Sequence, residues 1–506
     1  MRELSESSCC RGTGFGVRLA LCCLALLFSA SAPAKNPYGG IYLIWATGAD
    51  QYSLDFIDGG QVMLQWKSLH TGEDEYDWGK LDKHLAYFDN LDIKVTLQIN
   101  GNRKPAFLFQ RVPYHSVPHS HQIKDKDGTL MYWHPYYVDQ YEKFLIALSK
   151  HLKKAAYSDH ILGIRMNYNK VGTEHSISVK DMPPKAEWKV PHGVKWVDFE
   201  STQNEDYVER INKAYLTYFP PEYKLFLRMT AATSPTIEDA LSKGIAGVYQ
   251  TGAEMEPRYK GDENARYGSF LQWCRTGITD CYAESWAAAD GTHGTKKDKR
   301  WSTFAQFNYW RILSDLNLGV SYLAVYGLDI ERCHDPEFMA AFDFARKYAG
   351  YHARPQTSPG AWIAFREGLH LKGDYTFLAK PVPASEHFKP RDLRYNPPQQ
   401  LGDQSVRFGA WARSLSAGKS IDVEFDKGFI ESLSGTTRKL TVTYLDRGTG
   451  VLAVKAFGKE QSIQLENTQK WIQRSIEFSQ GNSDSVVNLK AKSRSITLHM
   501  VEIERI

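Results

Sequence analysis

From Tyr42 onward, short apolar runs alternate with amphipathic stretches, the pattern of a parallel sheet wound with helices. Eight such runs begin near Ile41 (I-Y-L-I-W), Gln61 (Q-V-M-L-Q-W), Lys94 (K-V-T-L-Q-I-N), Ile161, Lys224 (K-L-F-L-R-M-T), Gly247 (G-V-Y-Q-T-G), Asp280 (D-C-Y-A-E-S-W) and Val320 (V-S-Y-L-A-V-Y-G). Helical spacing lies between them: Leu81, Leu85 and Phe88 share one face, as do Tyr141, Phe144, Leu145, Leu148 and Leu152. Ser234-Pro235 and Asp335-Pro336 read as N-caps with proline at the first helical position, and Gly350 as a helix stop. Eight strands with helices between them predict an α/β fold, a (β/α)8 barrel over 35–356. The two longest insertions, about Asn102 to Tyr136 and His175 to about Glu205, follow strand C-terminal ends, the face where barrel loops build sites.

Past Thr357 the helical period disappears. Strand-like runs at Ile421–Phe425, Leu440–Tyr444, Leu452–Phe457, Ile472–Phe478, Val486–Leu489 and Ser495–Ile503 are separated by turn signals such as Asp446-Arg447-Gly448. This predicts an all-β sandwich over 357–506, with Pro381–Gln400 as a long surface loop or a wrap against the barrel. Residues 1–34 read as a cleaved signal peptide. Arg11 and Arg18 precede the apolar run Leu19–Phe28, and small residues follow at Ala30–Ala34. The run is too short to span a membrane, so the expectation is a secreted or periplasmic protein. Cys22 and Cys23 leave a lipid anchor as an alternative, although Leu21 stands where a small residue is wanted.

Beyond that segment only Cys274, Cys281 and Cys333 remain, enough for one bridge and one spare thiol but matching no zinc pattern. His115, His119, His121 and His134 crowd the first insertion without an interleaved acid, so solvated loop histidines are expected and no metal. With 62 basic and 58 acidic residues the charge is near balance, which makes no case for nucleic acid, and no glycine-rich phosphate loop implies a nucleotide cofactor. The 13% aromatic content fits a glycan partner, because sugar rings stack on flat faces.

What ends each strand carries the chemistry. The ends supply Trp45; Trp66 and Lys67; Asn100, Asn102 and Arg103; Asn167, Asn169, Glu174 and His175; Gln250 with Glu254 and Glu256 beyond; Glu284 and Trp286; Tyr326 and Asp329. Amides, carboxylates and aromatics on one rim suit a polyol. Splitting a glycosidic bond needs two carboxyl groups, and Glu284, inside the aromatic strand Tyr282–Trp286, is the stronger candidate. Its alternative role is a salt bridge to a barrel arginine, Arg165 or Arg228; that of Glu174 is a loop carboxylate facing water. Lys67, Arg103 and Lys104, all just past strand ends, would pair with sulfate or carboxylate groups of an acidic polysaccharide.

The stretch Gln65-Trp66-Lys67-Ser68-Leu69 through Tyr76-Asp77-Trp78-Gly79-Lys80-Leu81-Asp82, with Asn100-Gly101-Asn102 and Pro105, resembles the second and third strand segments of retaining glycoside hydrolases of clan A, the β-galactosidase-like barrels. The resemblance implies an acid/base at Glu174, after strand four, and a nucleophile at Glu284, at the end of strand seven. It departs from the clan at Thr173, where asparagine usually precedes the acid/base; Asn169 lies five residues before Glu174, and Glu254 and Glu256 stand in reserve. The sandwich is similar to the accessory domains of such enzymes. Two further readings stay open: a catalytically silent carbohydrate-binding barrel, and an inverting glycosidase using another carboxylate pair.

Overall fold

The computed structural model describes residues 36–117, 128–171, 183–228, 234–251, 273–284, 303–366, 374–382, 388–389, 406–410, 412–479 and 484–506, with the backbone alone at 201, 228, 250, 251, 388, 389, 409 and 410. Eight parallel strands close into a barrel: β1 (Gly40–Ile44), β2 (Gly59–Gln65), β3 (Lys94–Asn100), β4 (Ile161–Arg165), β5 (Lys224–Arg228), β6 (Ala246–Thr251), β7 (Cys281–Glu284) and β8 (Tyr322–Tyr326). These are the eight runs expected from the sequence. Closure comes from β8 on β1, in register from Gly40↔Tyr322 to Ile44↔Tyr326.

Among the described residues the helices of two turns or more that pack around it are α1 (Gly79–Asn90), α2 (Pro135–Leu152), α3 (Ser201–Tyr218), α4 (Pro235–Ser242), α5 (Phe304–Asn317) and α6 (Pro336–Tyr348). Leu81, Leu85 and Phe88 bury the inner face of α1, and Tyr141, Phe144, Leu145, Leu148 and Leu152 that of α2. Ser234 caps α4 by accepting from the Ile237 N–H, and Asp335 caps α6 by accepting from the Glu337 N–H.

Two antiparallel sheets follow the barrel. One runs 375–377, 360–364, 496–505, 413–415, 388–389, with 437–445 on 496–505 and 471–479 beyond it; the other runs 379–381, 420–425, 486–491, 449–456, 459–466. Ile363, Leu440, Val442, Val501 and Ile503 of the first pack with Ile421, Val423, Leu452, Val454 and Leu489 of the second in one apolar core. The Pro381–Gln400 expectation falls mostly outside the described residues.

Helix α5 joins the two parts. It is buried along nearly its whole length, polar residues included, because the barrel lies on one side and the first sheet on the other. Tyr309 of α5 hydrogen-bonds His499 (2.8 Å), and Asn317 accepts from the Thr376 N–H (2.9 Å). A helix covered all round has no polar stripe, so its sequence carries no amphipathic signature.

The two long insertions also meet. Strand 114–115 pairs with 129–130 on one side and 188–189 on the other, with His115 opposite Trp188. His115 and His134 are therefore buried rather than solvated: His115 sits in this small sheet, 3.5 Å from Glu187, and His134 caps α2 by accepting from the Tyr136 N–H. His119 and His121 lie outside the described residues, and among those described no cluster of metal-binding side chains occurs.

Candidate active site

The inside of the barrel is lined by tyrosines rather than by branched aliphatics. Tyr42, Phe226, Tyr249, Tyr282 and Tyr322 pack with Ile44 and Leu162, their ring centres 5.4–6.0 Å apart in the closest pairs. Above them, toward the C-terminal ends of the strands, sits a polar knot. Its centre is Glu284, the last residue of β7, only 7% exposed.

Arg165, the last residue of β4, holds that carboxylate: its Nη2 lies 2.7 Å from Glu284 Oε2. The Tyr249 hydroxyl accepts from Arg165 Nη1 and donates to the same oxygen, each at 2.6 Å. Tyr326 donates to the other oxygen, Oε1, at 3.1 Å. Gln98 accepts from Arg165 Nη1, Gln61 contacts Gln98 at 2.9 Å, and the guanidinium lies 3.9 Å over the Tyr249 ring. Burial alone would push the Glu284 carboxyl up, but Arg165 and the two tyrosine hydroxyls outweigh it and hold it below the usual glutamate range.

A bulge brings Arg165 inside. Along β4 the pairing to β3 slips from Val95↔Ile161 to Thr96↔Gly163. Strict alternation from the inward Leu162 would turn Arg165 out among the helices; the extra residue turns it in. Gly163 sits at the slip because a Cβ there would meet Lys224 O at 2.3 Å and the Phe226 ring at 2.8 Å. A glycine inside a strand pattern was the one sequence signal for it.

The other expected site residues divide. Asn100 and Asn167 join beside the knot: Asn167 Nδ2 donates to Asn100 Oδ1 (3.1 Å) and to Ile99 O (2.8 Å). Asn169, in the left-handed region at φ 48°, is wholly buried against Gly101 and donates to Ile99 O (3.2 Å) and Tyr141 OH (3.1 Å). Lys67 and Arg103 are exposed on the rim, where Gln65 accepts from the Arg103 N–H at 3.1 Å, and Asn102 is half-buried beside them.

Three residues stand away from the rim. Trp66 is 0% exposed, packed against Tyr137, Tyr141 and Phe144 of α2 and donating to His70 Nδ1 at 3.2 Å, so it is a core side chain and not a stacking face. Lys104 is buried and donates to Gly101 O, which removes it from the basic rim. Asp329 is fully buried, close enough to Arg311 to favour the charge on that guanidinium. Glu174, His175, Glu254, Glu256 and Trp286 lie outside the described residues, as does the Gln250 side chain.

Trp45, at the end of β1, is an exposed aromatic of the rim, 51% open with its backbone at φ 50°. It borders a cleft of about 730 Å³ lined also by Gly48, Tyr52, Gln61, Met63 and the outer face of α1. Sequence pattern did not mark Tyr249 as a partner of Glu284, or Gln98 and Gln61 as neighbours of Arg165, since each needs strands distant along the chain. Among the described residues no helix is long and apolar enough to cross a membrane. Cys274 and Cys281 form a disulfide, and Cys333 is a free thiol.

No protein-family model matches the chain, and neither does any curated protein. Among the solved structures that it matches, three share little of its sequence and superpose poorly. The catalytic unit of a GH87 α-1,3-glucanase from Streptomyces thermodiastaticus strain HF3-3 shares 14% identity over 25% of this chain and 26% of its own, with a TM-score of 0.19. Xylanase B from Clostridium stercorarium F9 shares 12% over 57% of this chain and 86% of its own, TM-score 0.33. The catalytic domain of a β-amylase from Paenibacillus polymyxa shares 9% over 63% and 100%, TM-score 0.35. Overlaps this slight carry no weight for activity, which has to be argued from the barrel's own residues.

Proposed function

We propose that this chain is an exported retaining glycoside hydrolase that cleaves a β-linked glycan, galactoside-containing or acidic, with Glu284 as nucleophile and Glu174 as acid/base. The observation that carries the reading is the state of Glu284. A nucleophilic carboxylate has to be ionised at the working pH, and the Arg165 guanidinium and the Tyr249 and Tyr326 hydroxyls hold Glu284 in that form at a strand C-terminal end. Oε2 is tied by Arg165 and Tyr249, while among the described residues Oε1 accepts from Tyr326 alone, at 3.1 Å. Oε1 is thus the attacking atom.

In the first step Oε1 bonds to the anomeric carbon as the glycosidic C–O bond breaks, and Glu174 gives its proton to the leaving oxygen. In the second, water gives a proton to Glu174 and attacks the same carbon, freeing Glu284 with net retention. Asn100, held by Asn167, offers an amide beside the reacting ring, and the exposed Trp45 offers a face to a neighbouring sugar of the chain. The Cys274–Cys281 disulfide supports export to an oxidising compartment.

The silent binder is the second reading, because the Arg165–Glu284 pair, closed and nearly buried, is also what a purely structural ion pair looks like. A panel of aryl β-glycosides and polysaccharides separates the two, with the first-formed anomer followed by NMR. Retention is expected. Glu284→Ala should lose at least about 10³-fold in kcat, and azide should restore turnover as the inverted glycosyl azide. Glu174→Ala should keep activity on substrates whose leaving group needs no proton. No turnover on any substrate would leave the silent binder; inversion, or a wild-type rate in Glu284→Ala, would shift the chemistry to another pair, with Glu254 next to test.

A further inference from the structure

The barrel is not evenly closed. Between β2 and β3 the register runs without interruption from Gly59↔Lys94 to Gln65↔Asn100, whereas β1 and β2 share only Tyr42↔Gly59. Beyond that point the two strands diverge, and the cleft of about 730 Å³ enters the gap. Gln61 and Met63 of β2 line one side; Gln61 belongs to the knot around Arg165, so the cleft leads toward Glu284. The segment 45–49 lines the other side, and α1 the outer end through Lys80, Lys83, His84 and Tyr87.

Its walls are held in place. Tyr87 donates to Ala49 O at 2.8 Å, tying the loop to α1, while Gln51 accepts from the Thr47 N–H (2.9 Å) and donates to Gly327 O (3.1 Å). Tyr52 packs edge-on against Phe88, and Gly60 beneath them is glycine because a Cβ would meet the Phe88 ring at 2.7 Å and the Tyr52 ring at 2.9 Å. Trp45 is kept exposed over the mouth in a left-handed backbone, a strain that persists only where the surroundings demand it. The described lining carries two lysines and a histidine and no carboxylate. Lys80 and Lys83 are exposed and have no ion-pair partner among the described residues, unlike Asp82 of the same helix, which pairs with His151 at 2.6 Å.

From this geometry we infer that the gap between β1 and β2 is a subsite for an anionic sugar residue of the substrate chain, its ring against Trp45 and its carboxylate or sulfate group on Lys80 and Lys83. The inference rests on the glycoside hydrolase reading for what lies beyond Gln61, and it narrows the substrate to an acidic polysaccharide. It also moves anion recognition away from the rim of β2 and β3. A flat aromatic face beside paired cations selects a ring with a pendant anion: the ring alone stacks anywhere, and an anion alone gains little from exposed lysines.

Calorimetry tests it with three probes of equal length: neutral β-1,4-galactan oligomers, β-1,4-linked oligomannuronates and κ-carrageenan oligosaccharides. Wild type and Glu284→Gln are both titrated, so that binding is read without turnover. The expected result is at least tenfold tighter binding of one anionic probe than of the neutral one, the preference fading as salt rises from 20 to 500 mM, values set on the scale of the Debye length, about 10 Å at 0.1 M. The carboxylated and sulfated arms identify which anion is held. Lys80→Gln and Lys83→Gln should each weaken that probe by about fivefold, the upper range for an exposed ion pair, and leave the neutral probe unchanged. Trp45→Ala should weaken both. Equal affinity for all three probes, or an anionic preference that survives the Lys80→Gln/Lys83→Gln double variant, overturns the subsite. Loss of turnover in every assay alongside an intact, lysine-dependent anionic preference would instead sink the hydrolase reading and leave the subsite standing.

Discussion

Nη2 of Arg165 lies 2.7 Å from Oε2 of Glu284, so the last residues of β4 and β7 are joined inside the barrel across the two strands between them. Taking either charge alone out of this setting leaves the other buried without its partner. Arg165→Met and Glu284→Gln are therefore each expected to cost about 3–5 kcal/mol in urea unfolding. The double variant should cost less than their sum by more than about 1 kcal/mol. Additive losses would mean that the pair is not coupled.

The two tryptophans of neighbouring strand ends should behave in opposite ways. Trp66→Ala opens a cavity among Tyr137, Tyr141 and Phe144 and should destabilise the fold by about 3–5 kcal/mol. Trp45→Ala touches an exposed side chain and should stay within about 0.5 kcal/mol of wild type. Thermal unfolding of the two variants side by side checks the contrast. A Trp45 variant as unstable as the Trp66 one would make Trp45 a packing residue.

Two histidines, the buried His70 and the half-buried His352 with both ring nitrogens covered, set an acid limit on stability. Burial pushes both His70 and His352 down to about 4, and Trp66 Nε1–H donating to His70 Nδ1 fixes the neutral ring there. The unfolded chain binds their protons near pH 6.5, so the unfolded state takes up more protons between about 6.5 and 4. Their stabilising contribution is complete above that window and drains as pH falls through it, at up to about 1.4 kcal/mol per pH unit for each ring. Urea unfolding between pH 7 and 4.5 should show this fall, and His352→Leu should make its slope shallower. A slope unchanged in that variant would mean that His352 is not held in the neutral form.

The disulfide Cys274–Cys281 closes a loop just before β7, seven residues apart in sequence. In the chain-entropy account a loop of this size stabilises by about 2–3 kcal/mol. Cys281→Ser should lower the thermal midpoint, and a reductant should lower that of wild type but not of the variant. Thiol titration in denaturant, on protein beginning after residue 34, should find one free group, Cys333. Three free groups would refute the bridge.

The order of elements was legible along the chain because it is local. Each barrel strand is a short apolar run, the faces of α1 and α2 follow from Leu81, Leu85, Phe88 and Tyr141 through Leu152, and the caps at Ser234 and Asp335 need only the residues beside them. Glu284 could be singled out for the same reason, as a carboxylate costly to place in an aromatic strand. Helix α5 could not: covered by the barrel and the sheet together, it lost the polar stripe by which helices are read. Trp66, Lys104 and Asp329 look like rim residues in sequence, since a strand end does not say which way a side chain turns. Packing against α2, the Gly101 carbonyl and a buried position near Arg311 decided each of them. The bulge at Gly163 turned Arg165 inward, and barrel closure then set Tyr249 and Tyr326 on the same carboxylate from strands far apart in the chain. Charge state and site geometry come from such long-range meetings, and only the tertiary structure brings them about.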